Sequence, residues 1–216
     1  MKKTSFPLYF LIPLAIVFGL IPSALAGFTI TELVAINLEG PEDKDGDYSA
    51  WIEVYNDAEE PQDLKGWYLT NDPDDLTKWE IPRSMVPAGG YGLVYVSGKD
   101  FGSLFQPEVH ASFKLSIATD YLGLVEPDGV TVAHAYEDLP KQRSGYSYGL
   151  DAEGEATFFQ SATPMSPNSR PVEGFVKDTK FSIDRGFFDE PFEVEITTET
   201  PDAIIYYSTN GRDPGK

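Results

Sequence analysis

Past residue 26, no stretch of this 216-residue chain keeps a helical period. Apolar side chains alternate with polar ones or come in short runs, and the runs end in Gly, Pro, Asn or Asp. Alternation puts successive side chains on opposite faces of a strand, and those four residues favour tight turns. Asp43-Lys44-Asp45-Gly46-Asp47 reads as an acidic turn, and Ala50 to Asn56 as the strand it feeds. Ala50, Ile52 and Val54 take one face there, and Trp51, Glu53 and Tyr55 the other. The 19 glycines and 17 prolines, with 13% aromatic residues, suit many short strands joined by punctuated turns. The fold class expected is all-β.

In chain order, Phe28 to Asn37 is expected to be the first strand. Its adjacent Leu33 and Val34 break strict alternation, which implies a bulge or burial on both faces. Further strands are expected at Gly66–Thr70, Lys78–Ile81, Tyr91–Val96 and His110–Leu115. Tyr121–Val125 and Val130–Ala133 flank Glu126-Pro127-Asp128-Gly129, the clearest hairpin signal in the chain. Beyond residue 175, Pro191–Thr197 and Ile204–Ser208 read as strands.

The N-terminus reads as an export signal, taken as an N-terminal signal helix. Lys2-Lys3 precede an apolar run from Phe6 to Leu20, and Ala24-Leu25-Ala26 supplies small residues at the positions a signal peptidase reads. Cleavage is expected after Ala26, and an uncleaved membrane anchor is the alternative. The protein is therefore expected to be secreted or held in the cell envelope, with no membrane contact after cleavage.

Charge narrows the partners. Thirty-five acidic side chains against 16 basic ones give a formal charge of −19. Such a surface repels phosphate backbones and anionic membranes, so nucleic acid is not expected as a partner. No cysteine is present, which removes disulfides, thiol nucleophiles and thiolate metal sites.

Candidate chemistry is sparse. Asp43, Asp45 and Asp47 alternate as hard-cation ligands do, so two readings stand: a loop holding calcium, and a solvated turn. An EF-hand is excluded, because Tyr48 stands where that loop needs Gly and Val54 where it needs Glu. No other cofactor is expected. Gly145-Tyr146-Ser147-Tyr148-Gly149 has the spacing of a nucleophile elbow. A turn follows it rather than a helix, and the only histidines, His110 and His134, lie upstream. Both histidines are read as strand residues, and the chain as no enzyme. Trp51, Trp67 and Trp79, with Tyr68 and Tyr91, are read as core or core-covering residues; a sugar-stacking face is the alternative.

Several of these motifs also carry a family resemblance. The acidic turn, Trp51-Ile52-Glu53-Val54-Tyr55-Asn56 and Leu64-Lys65-Gly66-Trp67-Tyr68-Leu69-Thr70 resemble the lamin-tail domain of bacterial secreted proteins, an immunoglobulin-like β-sandwich. Tyr91 to Gly98, Phe113-Lys114-Leu115, the Leu122 hairpin, Gln142 to Gly149 and Thr163-Pro164-Met165-Ser166-Pro167-Asn168 continue the likeness. Family members often carry Gly after Thr-Pro, where this chain has Met165. Ile204-Ile205-Tyr206-Tyr207-Ser208-Thr209-Asn210-Gly211-Arg212-Asp213-Pro214 resembles the chitobiase/β-hexosaminidase C-terminal module, a second small β-sandwich, here incomplete.

The organisation expected is a signal peptide at 1–26, a lamin-tail-like sandwich at 27–169, a linker at 170–175 and the incomplete module at 176–216. The resemblance implies non-catalytic binding, adhesion or spacer modules at the front of a larger extracellular protein, in cis to further C-terminal domains. The partner implied is a protein or polysaccharide at the cell surface. The alternative is an accessory role for an extracellular enzyme, CotH-like kinase or carbohydrate-active, whose catalytic domain lies beyond Lys216.

Overall fold

The structure is a computed structural model that describes residues 27–103 and 106–214. The expected signal helix and its cleavage site fall in residues 1–26, outside the described residues. The chain is all-β. Its strands are β1 (Phe28–Val34), β2 (Trp51–Asn56), β3 (Gln62–Asp63), β4 (Tyr68–Thr70), β5 (Trp79–Glu80), β6 (Met85–Val86), β7 (Tyr91–Tyr95) and β8 (Phe101–Ser103). After these come β9 (Gln106–His110), β10 (Leu122–Val125), β11 (Val132–Tyr136), β12 (Ser147–Leu150), β13 (Ala156–Phe159), β14 (Thr179–Phe181) and β15 (Ile196–Thr198).

Seven strands form one sheet in the order β13-β12-β1-β2-β7-β9-β8. Four form a second, β11-β10-β4-β5, and β3-β6 and β14-β15 are two-stranded. The two larger sheets share one apolar core, the arrangement of a β-sandwich. Ile30, Ile52, Val54 and Val94 come from the first sheet, and Leu69, Trp79, Leu122 and Leu124 from the second; all are buried. Tyr136 of β11 crosses the gap and donates its hydroxyl to the Ile30 carbonyl, 2.9 Å away. That bond satisfies a phenol that would be costly to bury unpaired.

Local sequence explains the strand ends. The register between β1 and β2 shifts between Ile30 and Glu32, so β1 carries a bulge and buries residues on both faces. The β10–β11 hairpin closes at Asp128-Gly129. Gly129 adopts φ 73°, and the Asp128 carboxylate accepts the Val130 and Thr131 amides at 2.9 Å each. Those donors, with the Thr131 hydroxyl, hold the Asp128 carboxyl below its usual range.

Three expected strands differ. His110–Leu115 is not one strand: pairing in β9 ends at His110, and the chain then turns to bridge Lys114 to Ser97. Between Pro191 and Thr197 only Ile196 and Thr197 lie in a strand, and Ile204–Ser208 is unpaired. Among the described residues neither stretch has a neighbour to complete its ladder, and alternation without a ladder leaves the backbone groups to solvent. Residues 171–175 lie against β13: Val172 donates to the Phe158 carbonyl at 2.8 Å, and Phe175 packs edge-on against Phe158 and Tyr146.

Candidate functional site

The acidic turn is built around Asp43. Gly46 adopts φ 80° and donates to the Asp43 carbonyl at 2.8 Å, while the Asp43 amide reaches the Asp47 carbonyl at 2.9 Å. The Asp43 carboxylate folds back over its own turn and accepts the amides of Asp45 (3.0 Å) and Asp47 (3.1 Å) and the Ser49 hydroxyl (2.8 Å). This local bonding is what Asp-rich turns offer. It brings Asp43, Asp45 and Asp47 together, with a ligand atom from each within 4.8 Å of the others. Such a cluster suits a divalent cation.

A cation already sits there. The Lys99 ammonium lies 2.6 Å from Asp43, 2.8 Å from Asp45 and 2.9 Å from Asp47. Burial pushes the Asp43 carboxyl up, but Lys99, Ser49 and the two backbone amides outweigh it and hold the group well below the carboxylate range. Burial likewise pushes Lys99 down, and the three carboxylates more than reverse that, raising it above an ordinary lysine. Calcium enters this turn only by displacing the ammonium.

The turn also docks on the strands beneath it. The Lys44 amide donates to Glu108 at 2.9 Å, and the Tyr95 hydroxyl to the Glu42 carbonyl at 2.9 Å. Under it lies a chain that sequence reasoning missed. Ser97 Oγ is 2.9 Å from His110 Nδ1, and His110 Nε2 is 3.5 Å from Glu108 Oε2. His110 is fully buried and stacked on Tyr95, with ring centroids 5.0 Å apart. A Ser–His–carboxylate order is the order of a nucleophile relay. Here the imidazole is sealed beneath the turn, and neither cleft described below is lined by Ser97 or His110. The Ser97-Gly98-Lys99 turn was the available signal, because Gly98 (φ 75°) stands between the residue bonded to His110 and the residue bonded to the acidic turn.

Ser147 has a different partner. It opens β12 and donates to the buried Glu32 carboxylate at 2.5 Å. His134 packs edge-on against Tyr136, and burial lowers its pKa. The two are not joined into a catalytic pair.

Glu32 and Glu53 are the second missed feature. They are cross-strand partners, and both are fully buried on the face of the large sheet that points away from the core. Residues 163–168 cover them as a strap. Glu32 accepts the Thr163 amide at 3.0 Å, and Glu53 accepts the Met165 amide at 2.6 Å and the Thr31 hydroxyl at 2.8 Å. Asn168 closes the strap by donating to the Thr31 and Leu150 carbonyls at 2.8 Å each. Burial pushes Glu53 up to about 7, with the neighbouring Glu32 adding to it, and burial raises Glu32 as well.

Two clefts flank the strap. One, of about 680 Å³, is lined by Val34, Ile36, Gly40, Tyr146, Ala162 and Pro164. The other, of about 440 Å³, is lined by Thr31, Tyr55, Asp57, Tyr91, Asp151 and Asn168. The tryptophans do not share a surface. Trp51 is buried under the strap side, Trp79 between the sheets, and Trp67 packs edge-on against Phe28.

No protein-family model matches the chain, and no curated protein matches it. Among the described residues no helix is long and apolar enough to cross a membrane.

Proposed function

We propose that this chain forms non-catalytic binding or spacer modules of an exported, cell-surface or secreted protein, a lamin-tail-like sandwich followed by a chitobiase-like module. What supports the reading is the use made of the groups that chemistry would need. Asp43, Asp45 and Asp47 are bonded to Lys99, Glu32 and Glu53 to the strap, and His110 to Ser97. Each cluster fixes a loop to a strand. A sandwich with loops pinned this way presents a rigid surface of turns and shallow clefts, the usual seat of recognition on such scaffolds. The ligand class proposed is a surface polysaccharide or protein, met at the cleft lined by Tyr55 and Tyr91. Calcium is proposed as a weak competitor of Lys99 at the acidic turn, not as a resident cofactor.

The test is sedimentation of the exported protein with cell-wall polysaccharides and with envelope proteins, against the Tyr55→Ala/Tyr91→Ala variant. Binding that the double variant loses supports the reading. Turnover of a glycoside, ester or nucleotide by the wild type overturns it.

A further inference from the structure

The sheet begins two residues past the end of the expected leader. Phe28 pairs with Asn56 as the first rung of β1 and β2. One residue earlier, the Gly27 nitrogen donates to the Asp57 carboxylate at 2.5 Å, and the Gly27 carbonyl accepts the Asp57 amide at 3.3 Å. Asp57 is held ready for this contact. Its neighbour Asn56 is buried and donates its side-chain amide to the carbonyls of Glu60, Val86 and Pro87, and it accepts the Ala58 amide. The backbone on both sides of Asp57 is thereby fixed. Among the described residues Asp57 has no lysine, arginine or histidine partner, so its charge has no other counter-ion.

We propose that Asp57 is a receptor for the α-ammonium that export processing creates on Gly27, so that cleavage converts an amide–carboxylate hydrogen bond into an ion pair locking the start of β1. The proposal rests on the exported reading above. The step is hydrolysis by a peptidase of the export machinery. Water breaks the Ala26–Gly27 amide, its hydroxyl goes to the Ala26 carbonyl carbon and a hydrogen to the Gly27 nitrogen. The free amine then takes a proton from solvent at neutral pH, as an α-amine with a pKa of about 8 does. A nitrogen that donated one proton as a neutral amide now carries three and a full positive charge, so both partners of the contact are ionised, as in the short N–H to carboxylate bonds of ion pairs. Asp57 shares its cleft with Thr29 of β1, Tyr55 at the end of β2, Tyr91 of β7 and Asp151 from the turn after β12. Asp151 carries the same charge as Asp57, and its carboxylate accepts the Glu153 and Glu155 amides of its own turn.

The experiment expresses the chain with its leader, recovers the exported protein and reads its N-terminus. An amine-reactive acylating reagent then labels the terminus at pH 7 in the folded wild type, the wild type in denaturant, and Asp57→Asn. The expected result is a Gly27 terminus that reacts roughly three- to tenfold more slowly in the folded wild type than in either comparison, as a raised amine pKa demands. The denaturant arm needs no variant, so the test holds even if Asp57→Asn folds poorly. A different terminus overturns the processing reading and the ion pair with it. A Gly27 terminus with equal reactivity in all three samples overturns the ion pair alone.

Discussion

Residues 27–175 and residues 176–214 carry similar strand-like patterns, yet they reach different ends. In the first region the alternating apolar positions of β1, β2, β7 and β10 meet those of a facing sheet and leave water entirely. In the second the only regular structure is the pair β14–β15, tied at one end by Lys177 and Lys180 to Glu199. Phe187 is fully exposed there, and Phe181, Val194, Ile204 and Tyr207 stand in solvent. A two-stranded ribbon has no second layer to receive its apolar face and is marginal alone. The contrast teaches that alternation declares which side chains want company, whereas the strand itself needs a neighbour with free backbone groups.

That contrast can be broken by truncation. Ile52→Ala empties a fully buried position in the first region and is expected to cost about 2–5 kcal/mol in urea unfolding. Phe187→Ser, on the open face of the second, is expected to cost under ~0.5 kcal/mol. Equal losses would mean that the second region has a core of its own.

The buried glutamates sharpen the comparison through pH. Glu53 is raised from an ordinary 4.5 to about 7 in the folded chain. A group raised on folding contributes fully below its unfolded value, and the contribution fades as pH rises through the folded one. The first region is therefore expected to weaken between pH 4.5 and about 8, and the second, which lacks such a pair among the described residues, to show no such slope. Glu53→Gln is expected to gain about 3 kcal/mol over wild type at pH 9 and nothing at pH 4. Its amide can donate to Thr31 and still accept from Met165. A flat wild-type profile over that range would contradict the assigned shift.

Lys99→Met leaves the buried Asp43 charge without its counter-ion, at an expected cost of about 2 kcal/mol. Millimolar calcium is expected to restore that loss in the variant and to leave the wild type unchanged. Calorimetry showing tight calcium binding by the wild type would mean that the ammonium does not hold the site. Met165→Gly acts in the opposite direction. Met165 adopts φ 63°, the left-handed region that favours glycine, and the substitution is expected to stabilise by about 1 kcal/mol.

Much of this was legible in the chain itself. The turn residues of Asp43–Asp47 and Pro127–Gly129 lie side by side in sequence, so their chemistry is local. The adjacent Leu33 and Val34 reflect burial on both faces of β1, whereas the bulge lies earlier, between Ile30 and Glu32. The partners were harder. Lys99 stands 56 residues from Asp43, and Thr163 stands 131 residues from Glu32. Such pairs depend on which strands become neighbours, and period and propensity do not carry that information. Glu53 on an alternating strand reads as solvent-facing, because nothing near it in sequence reveals the strap that will cover it.

That strap has a consequence for how the molecule comes into being. Glu32 leaves the ribosome early, and the two hydroxyls and the one amide that donate to it lie more than a hundred residues behind. Until Ser147 and Thr163 emerge, the nascent chain carries a hydrated carboxylate and an unzipped flank of its first strand. Closure over so long a loop belongs to the slow class of folding events. A stretch that arrives late, after every strand of the sandwich, is thus the one that seals the first strand.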